Sequence, residues 1–346
     1  MRIALASPPW ERVPPPAYGG IEAVVSLLAD GLVRRGHDVT LYATGDSLTM
    51  ARLKWVCPRP LRVANVDQPL PYQLVHTAAL LTDADQYDLI HNHCGEFLMA
   101  FSRLTRAPML TTIHGPMHPD TRIIWDHYTG YHNSISTAAH DGFPDVRYLG
   151  VVYNGVDVDS FPYSATKDDF LLFLGRISEE KGTHLAIEVA KTTGRRLIIA
   201  GKIDRVDREY YERKVAPSID GTQIMLFGEA DADEKRRLFA HAHCLLHPIT
   251  WPEPFGLVMA EAMACGTPVI AFRRGSVPEV IRDGETGFIV DTLDEMADAI
   301  SRVDQIDPAR CRAHVANLFS ADQMIAGYER LYQTVCASAL SQRHAP

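Results

Sequence analysis

The chain has 346 residues, of which 46% are hydrophobic, and 34 basic residues against 43 acidic ones leave a formal charge of -9. This length suits two domains of ordinary size, each with its own core. The acidic balance excludes a general attraction for nucleic acid or for an anionic membrane surface. We therefore expect no nucleic-acid partner.

The N-terminus, MRIALASPPW, is predicted to form one short strand, since its apolar run is too short for a signal peptide. No stretch approaches the roughly 20 apolar residues of a membrane helix, so we expect no integral membrane segment. The 6 cysteines are scattered, without a CxxC pair or a metal-like spacing. These features predict reduced thiols and a cytoplasmic location.

Apolar, β-branched runs alternate with helical patterns along nearly the whole chain, which is typical of parallel α/β architecture. The strands predicted in the first half are Ile3–Ala6, Val39–Tyr42, Leu89–His91 and Met109–Ile113, with weaker candidates at Ser134–Ile135 and Val151–Val152. The first helix carries one apolar face from Ile21 to Leu32 and ends at Gly36. The segment from about 46 to 72 has several prolines and weak periodicity, and it stays unassigned.

The alternation restarts in the second half, after a polar break at Tyr163–Asp169. The predicted strands there are Phe170–Leu174, Leu197–Ala200, Ile224–Phe227, Cys244–Pro248, Val269–Phe272 and Phe288–Val290. Helices are predicted from about Thr183, around Tyr210 and around Lys235–Ala240.

The predicted domains are 1–162 and 163–320, both Rossmann-like, with a C-terminal amphipathic helix within 321–346 that crosses back toward the first domain. Two doubly wound parallel sheets would face a central cleft at the carboxyl ends of their strands, where such folds bind ligands.

The segment ITWPEPFGLVMAEAMACGTPVIAF, from Ile249 to Phe272, is the most informative part of the chain. Its prolines favour an irregular approach, so that a helix begins only near Phe255 or Gly256. The free N–H groups from Phe255 to Leu257 then form a helix start that suits a phosphate.

Two glutamates flank this helix start, Glu253 in the loop before it and Glu261 on its second turn. A carboxylate beside a phosphate does not bind that phosphate, because the charges repel. Both glutamates are therefore better explained as acceptors for sugar hydroxyls.

The segment GRISEEKG, from Gly175 to Gly182, follows the first strand of the second half and precedes a helix. Arg176 and Lys181 thus lie at the carboxyl end of that strand. A guanidinium fork and an ammonium point charge can neutralise different oxygens of a diphosphate leaving group. Such charges in isolation are more often solvated loop residues, but their combination with the two glutamates favours a diphosphate site.

Gly19-Gly20 precedes the first helix and indicates either a backbone site for phosphate or sugar, or a simple tight turn. No GxGxxG follows the first strand, which argues against a dinucleotide oxidoreductase. His114 in TTIHG could enter the predicted cleft, although a lone histidine is more often structural. His91 and His93 have a weaker case.

Two DxD triplets occur, at Asp83–Asp85 and at Asp231–Asp233. Such triplets can hold a metal bound to a nucleotide sugar, but these are better explained as carboxylates at helix N-termini. We therefore predict no metal site and no cofactor.

With these motifs in this order, the chain resembles the retaining glycosyltransferases of family 4, which have the two-domain GT-B fold. The resemblance covers almost the full length, and its most specific element is the E-x7-E motif in EPFGLVMAEAMACGTPVIA. GRISEEKG, YNGVD at Tyr153–Asp157, the early Gly-Gly, RRGHDVTLY and GSVPEVIRDGETGFIV support it.

The resemblance implies that Arg176 and Lys181 bind the donor diphosphate, that Glu261 holds the ribose hydroxyls and that Glu253 holds the transferred sugar. His114 matches the histidine placed near the anomeric centre in this family. The implied catalytic residues are His114, Arg176, Lys181 and Glu253. The implied donor-binding residues are Gly19, Gly20, Gly175, Arg176, Lys181, Lys202, Glu253, Phe255, Gly256, Leu257 and Glu261.

Three positions depart from the family pattern. Ala200-Gly201-Lys202 stands where the family has Gly-x-Gly, Gly115 follows His114 where many relatives have aspartate, and Gly275-Ser276 replaces a common Gly-Gly. Asn154 and Gly155 match positions that shape the hinge region between the domains. None of the departures removes the two cations or the two glutamates.

We therefore expect a retaining, metal-independent hexosyltransferase that uses a nucleoside-diphosphate sugar of the UDP-glucose or GDP-mannose type. The acceptor would be a hydroxyl of a soluble small molecule or saccharide, attacked on the same face as the departing diphosphate. The loops Pro8–Gly20 and Pro116–Tyr131 are expected to contact it. The alternatives are a nucleotide-sugar epimerase or hydrolase of GT-B fold, and a nucleotide-sugar-binding module without turnover.

Overall fold

The computed structural model describes residues 1–343; residues 344–346, the end of the predicted C-terminal segment, lie outside the described residues. The chain divides into two compact units, one from Met1 to Gly155 that also takes in the segment beginning at Ala321, and one from Val156 to Ser320. The division falls between Gly155 and Val156. The boundary predicted from the sequence lies after residue 162. The reason is local: the carbonyl oxygens of Val158 and Phe161 accept hydrogen bonds from Arg312 of the second unit.

The first unit contains a sheet of seven parallel strands in the order β3-β2-β1-β4-β5-β6-β7. The strands are β1 Arg2–Ala6, β2 Asp38–Tyr42, β3 Arg52–Lys54, β4 Leu89–Asn92, β5 Met109–Ile113, β6 Tyr131–Ser134 and β7 Tyr148–Val151. Its helices are α1 Gly20–Arg34, α2 Leu70–Thr82, α3 Glu96–Met99, α4 Arg122–His127 and α5 Thr137–His140, with α13 Ala321–Arg343 at the end of the chain.

The second unit contains a sheet of six parallel strands in the order β10-β9-β8-β11-β12-β13. The strands are β8 Leu171–Leu174, β9 Leu197–Ala200, β10 Ile224–Gly228, β11 Cys244–His247, β12 Val269–Phe272 and β13 Gly287–Val290. Its helices are α6 Thr183–Thr193, α7 Arg208–Tyr210, α8 Ala232–His241, α9 Leu257–Ala264, α10 Val277–Val280, α11 Leu293–Ile300 and α12 Pro308–Leu318.

Both sheets have the doubly wound order in which the chain starts in the middle, moves to one edge and then returns to build the other side. The direction reverses between β1 and β4 in the first unit and between β8 and β11 in the second. Open α/β sheets bind ligands beyond the carboxyl ends of the strands at such a reversal. The predicted pair of Rossmann-like domains is confirmed. In each sheet, the expected place for a ligand site is the carboxyl ends of the strands at this reversal.

Two of the elements that the sequence placed only weakly or did not predict, β6 and α2, carry polar residues on their buried side. β6 lies at Tyr131–Ser134, earlier than its predicted place, and it buries His132 and Asn133. α2 buries His76, Thr77 and Leu80, while Leu70, Leu74 and other apolar residues of this helix are exposed. An apolar stripe therefore does not mark the buried face of α2, and periodicity could not find the helix.

The C-terminal helix α13 packs within the first unit. Ile325 of α13 lies so close to Gly31 of α1 that a Cβ atom on Gly31 would stand 2.2 Å from its Cδ1. Glu329 binds the Arg35 guanidinium at 2.7 Å, and the Tyr332 hydroxyl contacts His91 Nδ1 at 2.7 Å. None of the helices within residues 1–343 combines the length and the apolar character that a membrane span needs.

The loops that follow β8, β9 and β11 approach each other so closely that glycine is required. A Cβ atom on Gly201 would lie 1.7 Å from the Gly175 carbonyl oxygen, and one on Gly182 would lie 2.0 Å from the Pro248 carbonyl oxygen. Gly182 also has φ +73°, which L side chains rarely adopt. These contacts lock the loop of Arg176 and Lys181 against the two neighbouring loops.

We predict that Gly182→Ala destabilises the protein far more than Gly194→Ala. Both glycines flank α6 with positive φ, but a Cβ atom on Gly194 meets nothing within 4 Å. Gly194→Ala should cost about 1 kcal/mol of unfolding free energy from the backbone alone, and Gly182→Ala at least ~2 kcal/mol more from the backbone clash. Urea denaturation of both variants measures this difference; equal losses would contradict the close packing of Gly182 on Pro248.

Candidate functional site

The carboxyl ends of β8 and β11 in the second unit bring together the cations and glutamates that the sequence singled out. Arg176 follows β8, and its guanidinium binds Glu180 and lies 3.6 Å from Asp207 and 3.9 Å from Asp204. Burial raises the pKa of the Asp207 carboxyl, and the positive charge of Arg176 opposes that rise. The guanidinium is thus held by carboxylates on both sides of its loop.

Lys181 and Glu253 form an ion pair that joins the loop after β8 to the loop after β11. Lys181 Nζ lies 2.5 Å from Glu253 Oε2, and the same oxygen accepts a hydrogen bond from Trp251 Nε1 at 3.2 Å. The ammonium also lies 5.0 Å from the centre of the Trp251 ring. His247 Nε2 is 3.9 Å away from Glu253, but burial lowers the His247 pKa to about 4, so this imidazole is neutral at pH 7.

The helix start between the glutamates lies where the sequence predicts it. Gly256 caps α9 with φ +74°, and Leu257 is the first helical residue. Phe255 is buried and packs edge-on against Phe319 with ring centres 5.6 Å apart, so it supplies backbone rather than side chain to the helix start. The N–H groups at a helix start favour an anion, as expected from the sequence for this terminus.

Glu261, on the second turn of α9, is paired with a lysine that the sequence did not single out. Lys235 of α8 places Nζ 2.6 Å from Glu261 Oε1. Lys235 is 26 positions away along the chain, and no spacing pattern marks it among the other lysines. In both cases, therefore, a nearly buried glutamate carboxylate forms an ion pair with a lysine from a different loop or helix.

Lys202, at the end of β9, belongs to the same cluster as Arg176. Its side chain is almost fully buried, and its Nζ lies 3.1 Å from Asp204, which also faces Arg176. Gly201 packs on the Gly175 backbone, as described above. The departure from the family's Gly-x-Gly thus adds a buried cation beside the predicted diphosphate residues.

Gly275 packs against the backbone of Glu253. A Cβ atom on Gly275 would lie 2.3 Å from the Glu253 carbonyl oxygen, and the neighbouring Ser276 N–H donates to that oxygen at 2.9 Å. The sequence flagged this position only as a departure from Gly-Gly. Its first glycine is required by the close approach of the Glu253 backbone.

In the first unit, Gly19 and Gly20 begin α1 as predicted, but a carboxylate of the chain shares the helix start. A Cβ atom on Gly19 would lie 3.1 Å from Glu22 Oε2. Glu22 is buried, and desolvation raises its pKa to about 7, with opposing hydrogen bonds from the Glu22 and Glu11 backbone. Glutamate three positions after a helix cap is a sequence signal for this arrangement.

His114 follows β5 and lines a cavity of about 270 Å³ within the first unit. Its Nε2 lies 2.8 Å from Nδ1 of His93, which follows β4 and lines the same cavity. Burial lowers the pKa of His114 to about 4 and that of His93 well below its usual value. Both imidazoles are therefore neutral at pH 7. His91 is not among the residues that line the cavity, and its ring nitrogens contact Thr112 and Tyr332.

The two DxD triplets have structural roles. Asp231 caps α8 by accepting hydrogen bonds from the Asp233 and Glu234 backbone, and Asp83 binds Lys54 at 2.6 Å. Residues 1–343 contain no group of three or more histidine, cysteine, aspartate or glutamate side chains placed to hold a metal ion. Gly155 packs on Ala321 at the start of α13, and the hinge role of Asn154 and Gly155 stays a prediction.

Two family models match consecutive parts of the chain. The model of Glycosyltransferase Family 4 matches residues 18–160, and the model of glycosyl transferases group 1 matches residues 159–313. The chain belongs to the family 4 glycosyltransferases and has their GT-B fold. Its activity is therefore nucleotide-sugar-dependent glycosyl transfer.

This glycosyltransferase is similar to the D-inositol 3-phosphate glycosyltransferase of Mycolicibacterium smegmatis, with 26% identity over 90% of this chain and 86% of the relative. A solved glycosyltransferase involved in avilamycin A biosynthesis aligns with a TM-score of 0.75 and 26% identity over 98% of both chains. Anabaena HepE, solved with UDP and glucose, aligns with a TM-score of 0.75 and 18% identity over 96% of this chain and 100% of the other. At this identity, the similarity to HepE is evidence for the fold alone.

Proposed function

We propose that this glycosyltransferase moves a hexose, with retention of anomeric configuration, from a UDP-glucose or GDP-mannose type donor to an acceptor hydroxyl. The second unit binds the donor, and the first unit binds the acceptor. The observation that carries the proposal is the pair of lysine-held glutamates, Glu253 and Glu261, on either side of the α9 start.

Each glutamate has one carboxylate oxygen fixed and one available. Lys181 engages Oε2 of Glu253 and Lys235 engages Oε1 of Glu261, while the remaining oxygens have no partner among residues 1–343. An oxygen in this position accepts a hydroxyl hydrogen bond in a fixed direction. We assign Glu253 to the hydroxyls of the transferred sugar and Glu261 to those of the ribose.

The charge that develops on the leaving diphosphate is the main electrostatic demand of the reaction. Arg176, Lys181 and the α9 start are positioned to meet it, with Lys202 and Gly175 beside them. Preorganised charges of this kind stabilise a transition state without reorganising during the reaction. Because both cations are already paired with carboxylates, the diphosphate competes for them with Glu180 and Glu253.

The acceptor proton needs a base, and the described histidines supply a poor one. Burial lowers the pKa of His114 to about 4. Its neutral ring is therefore a weak base for the acceptor proton at pH 7. A diphosphate oxygen on the departing side is the stronger base. This supports front-face attack, in which the leaving group deprotonates the acceptor and His114 acts as a neutral hydrogen-bonding group.

The test of the function is product analysis with UDP-glucose and GDP-mannose, each incubated with and without a mixture of candidate acceptors. We expect nucleotide release that depends on acceptor, and a product whose anomeric proton coupling in NMR shows the α configuration of the donor. UDP-glucose is our first choice because it is the more common of the two donors. A β-linked product would contradict retention, and full donor conversion without acceptor would show a hydrolase or an epimerase.

Removal of either diphosphate cation should chiefly lower the transfer rate. We predict that Arg176→Ala and Lys181→Ala each reduce kcat/KM by roughly 100-fold or more, as with other preorganised charge stabilisers. Lys191→Ala is the matched control, since Lys191 lies on α6 and its ammonium donates a hydrogen bond to Ser218 Oγ at 2.8 Å. Steady-state kinetics measure all three, and unchanged turnover in both site variants would contradict the diphosphate assignment.

A further inference from the structure

The cavity of the first unit lies beyond the carboxyl ends of β1, β4 and β5, at the reversal of the strand order. Its volume, about 270 Å³, is slightly below the usual range of small-molecule sites and suits one ring-sized group. Pro8, Trp10 and Pro116 of the expected acceptor loops line it. Under the function proposed above, this cavity receives the part of the acceptor that carries the reacting hydroxyl.

The charge on the side chains that line the cavity is negative. Among the described residues that line it, none is lysine or arginine, and Glu96 is the single carboxylate. Oε1 of Glu96 accepts hydrogen bonds from Thr121 Oγ1 at 2.6 Å and from Trp125 Nε1 at 3.2 Å, which fix the group in place. Its Oε2 has no partner within residues 1–343.

The three histidines of the lining do not add positive charge. His93 and His114 bind each other at 2.8 Å, and His76 binds the Ser7 carbonyl oxygen at 3.1 Å. Burial lowers the pKa of His76 and of His114 to about 4, and that of His93 well below its usual value. At pH 7 these rings are neutral donors and acceptors.

The remaining walls are apolar and aromatic. Trp125 is fully buried and packs on Phe143 with ring centres 5.0 Å apart, and Phe97 lines the cavity while 40% exposed. Flat apolar surfaces stack on sugar rings and on aromatic rings alike. A phosphate or carboxylate in this place would lose its water beside a fixed carboxylate and gain no cation, which is strongly unfavourable.

We propose that the acceptor of this glycosyltransferase is an uncharged hydroxyl compound with one apolar ring face, and that phosphorylated acceptors are rejected by the first-unit cavity. Glu96 and the neutral histidines bind its hydroxyls, and the aromatic walls bind its ring. The proposal rests on the proposed function. It differs from the substrate named for the Mycolicibacterium smegmatis relative, an inositol phosphate.

The test compares acceptors that differ only by a phosphate: glucose with glucose 6-phosphate, inositol with inositol 3-phosphate, and 4-nitrophenyl glucoside with its 6-phosphate. We expect the uncharged member of each productive pair to have a kcat/KM at least about 100-fold higher, the size expected for an unpaired buried charge. Preference for a phosphorylated member would overturn the proposal.

Two variants locate the discrimination in the cavity. Gln73→Arg places a cation in the lining, and Glu96→Gln removes the carboxylate but keeps an acceptor for Trp125. Each should raise the use of phosphorylated relative to uncharged acceptors by roughly 10-fold or more. Gln68→Arg, an exposed position outside the lining, adds the same charge and should leave that ratio unchanged. An equal shift in Gln68→Arg would overturn the role of the cavity.

Binding without turnover separates this proposal from the proposed function. If no donor and acceptor combination reacts, the function fails, and the cavity is then probed by tryptophan fluorescence, since Trp10 and Trp125 line it. We expect saturable binding of 4-nitrophenyl glucoside and none of its 6-phosphate. Binding of the phosphate in preference, or of neither compound, would overturn the acceptor assignment on its own.

Discussion

The ion pair between Lys181 and Glu253 is the interaction on which the candidate site of the second unit depends. It joins the loops that follow β8 and β11, the two strands between which the sheet reverses direction. Both loops are held at backbone distance, because Gly182 packs on Pro248 and Gly275 packs on the Glu253 backbone. A nearly buried Glu253 carboxylate without its cation would cost much free energy. The pair therefore depends on the loop packing that keeps Lys181 beside Glu253. The result is an ammonium and a carboxylate held in one rigid unit, which is the arrangement that the proposed donor site uses.

The candidate sites of the two units differ in their electrostatics. The second unit concentrates charge, since Arg176, Lys181, Lys202 and Lys235 each face carboxylates. The first unit removes charge, because desolvation keeps His114 and its neighbours neutral around a largely apolar cavity. A leaving diphosphate needs strong, fixed charges, whereas an attacking hydroxyl needs positioning and a low dielectric. One chain thus builds the two environments on two separate sheets, both with doubly wound strand order.

The sequence predicted the fold class and most strand positions because parallel strands buried on both faces are continuous apolar runs. It placed the helix start near Phe255 or Gly256, because Pro252 and Pro254 disfavour helix before it, and Gly256 caps α9. It could not find α2 or the true place of β6, whose buried faces carry His76, Thr77, His132 and Asn133. It also could not pair Lys235 with Glu261, since contacts between separate helices leave no spacing signal. Residues that are polar and buried were therefore the ones that sequence patterns missed.

The most direct test is a double-mutant cycle on Lys181 and Glu253, read as calorimetric affinity for the nucleotide sugar that the enzyme turns over. The proteins compared are the wild type, Lys181→Met, Glu253→Gln and the double variant. If the pair organises the donor site, the double variant loses less affinity than the sum of the single losses, with a coupling of at least ~1 kcal/mol. Losses that add within about 0.5 kcal/mol would show two independent residues and contradict the account.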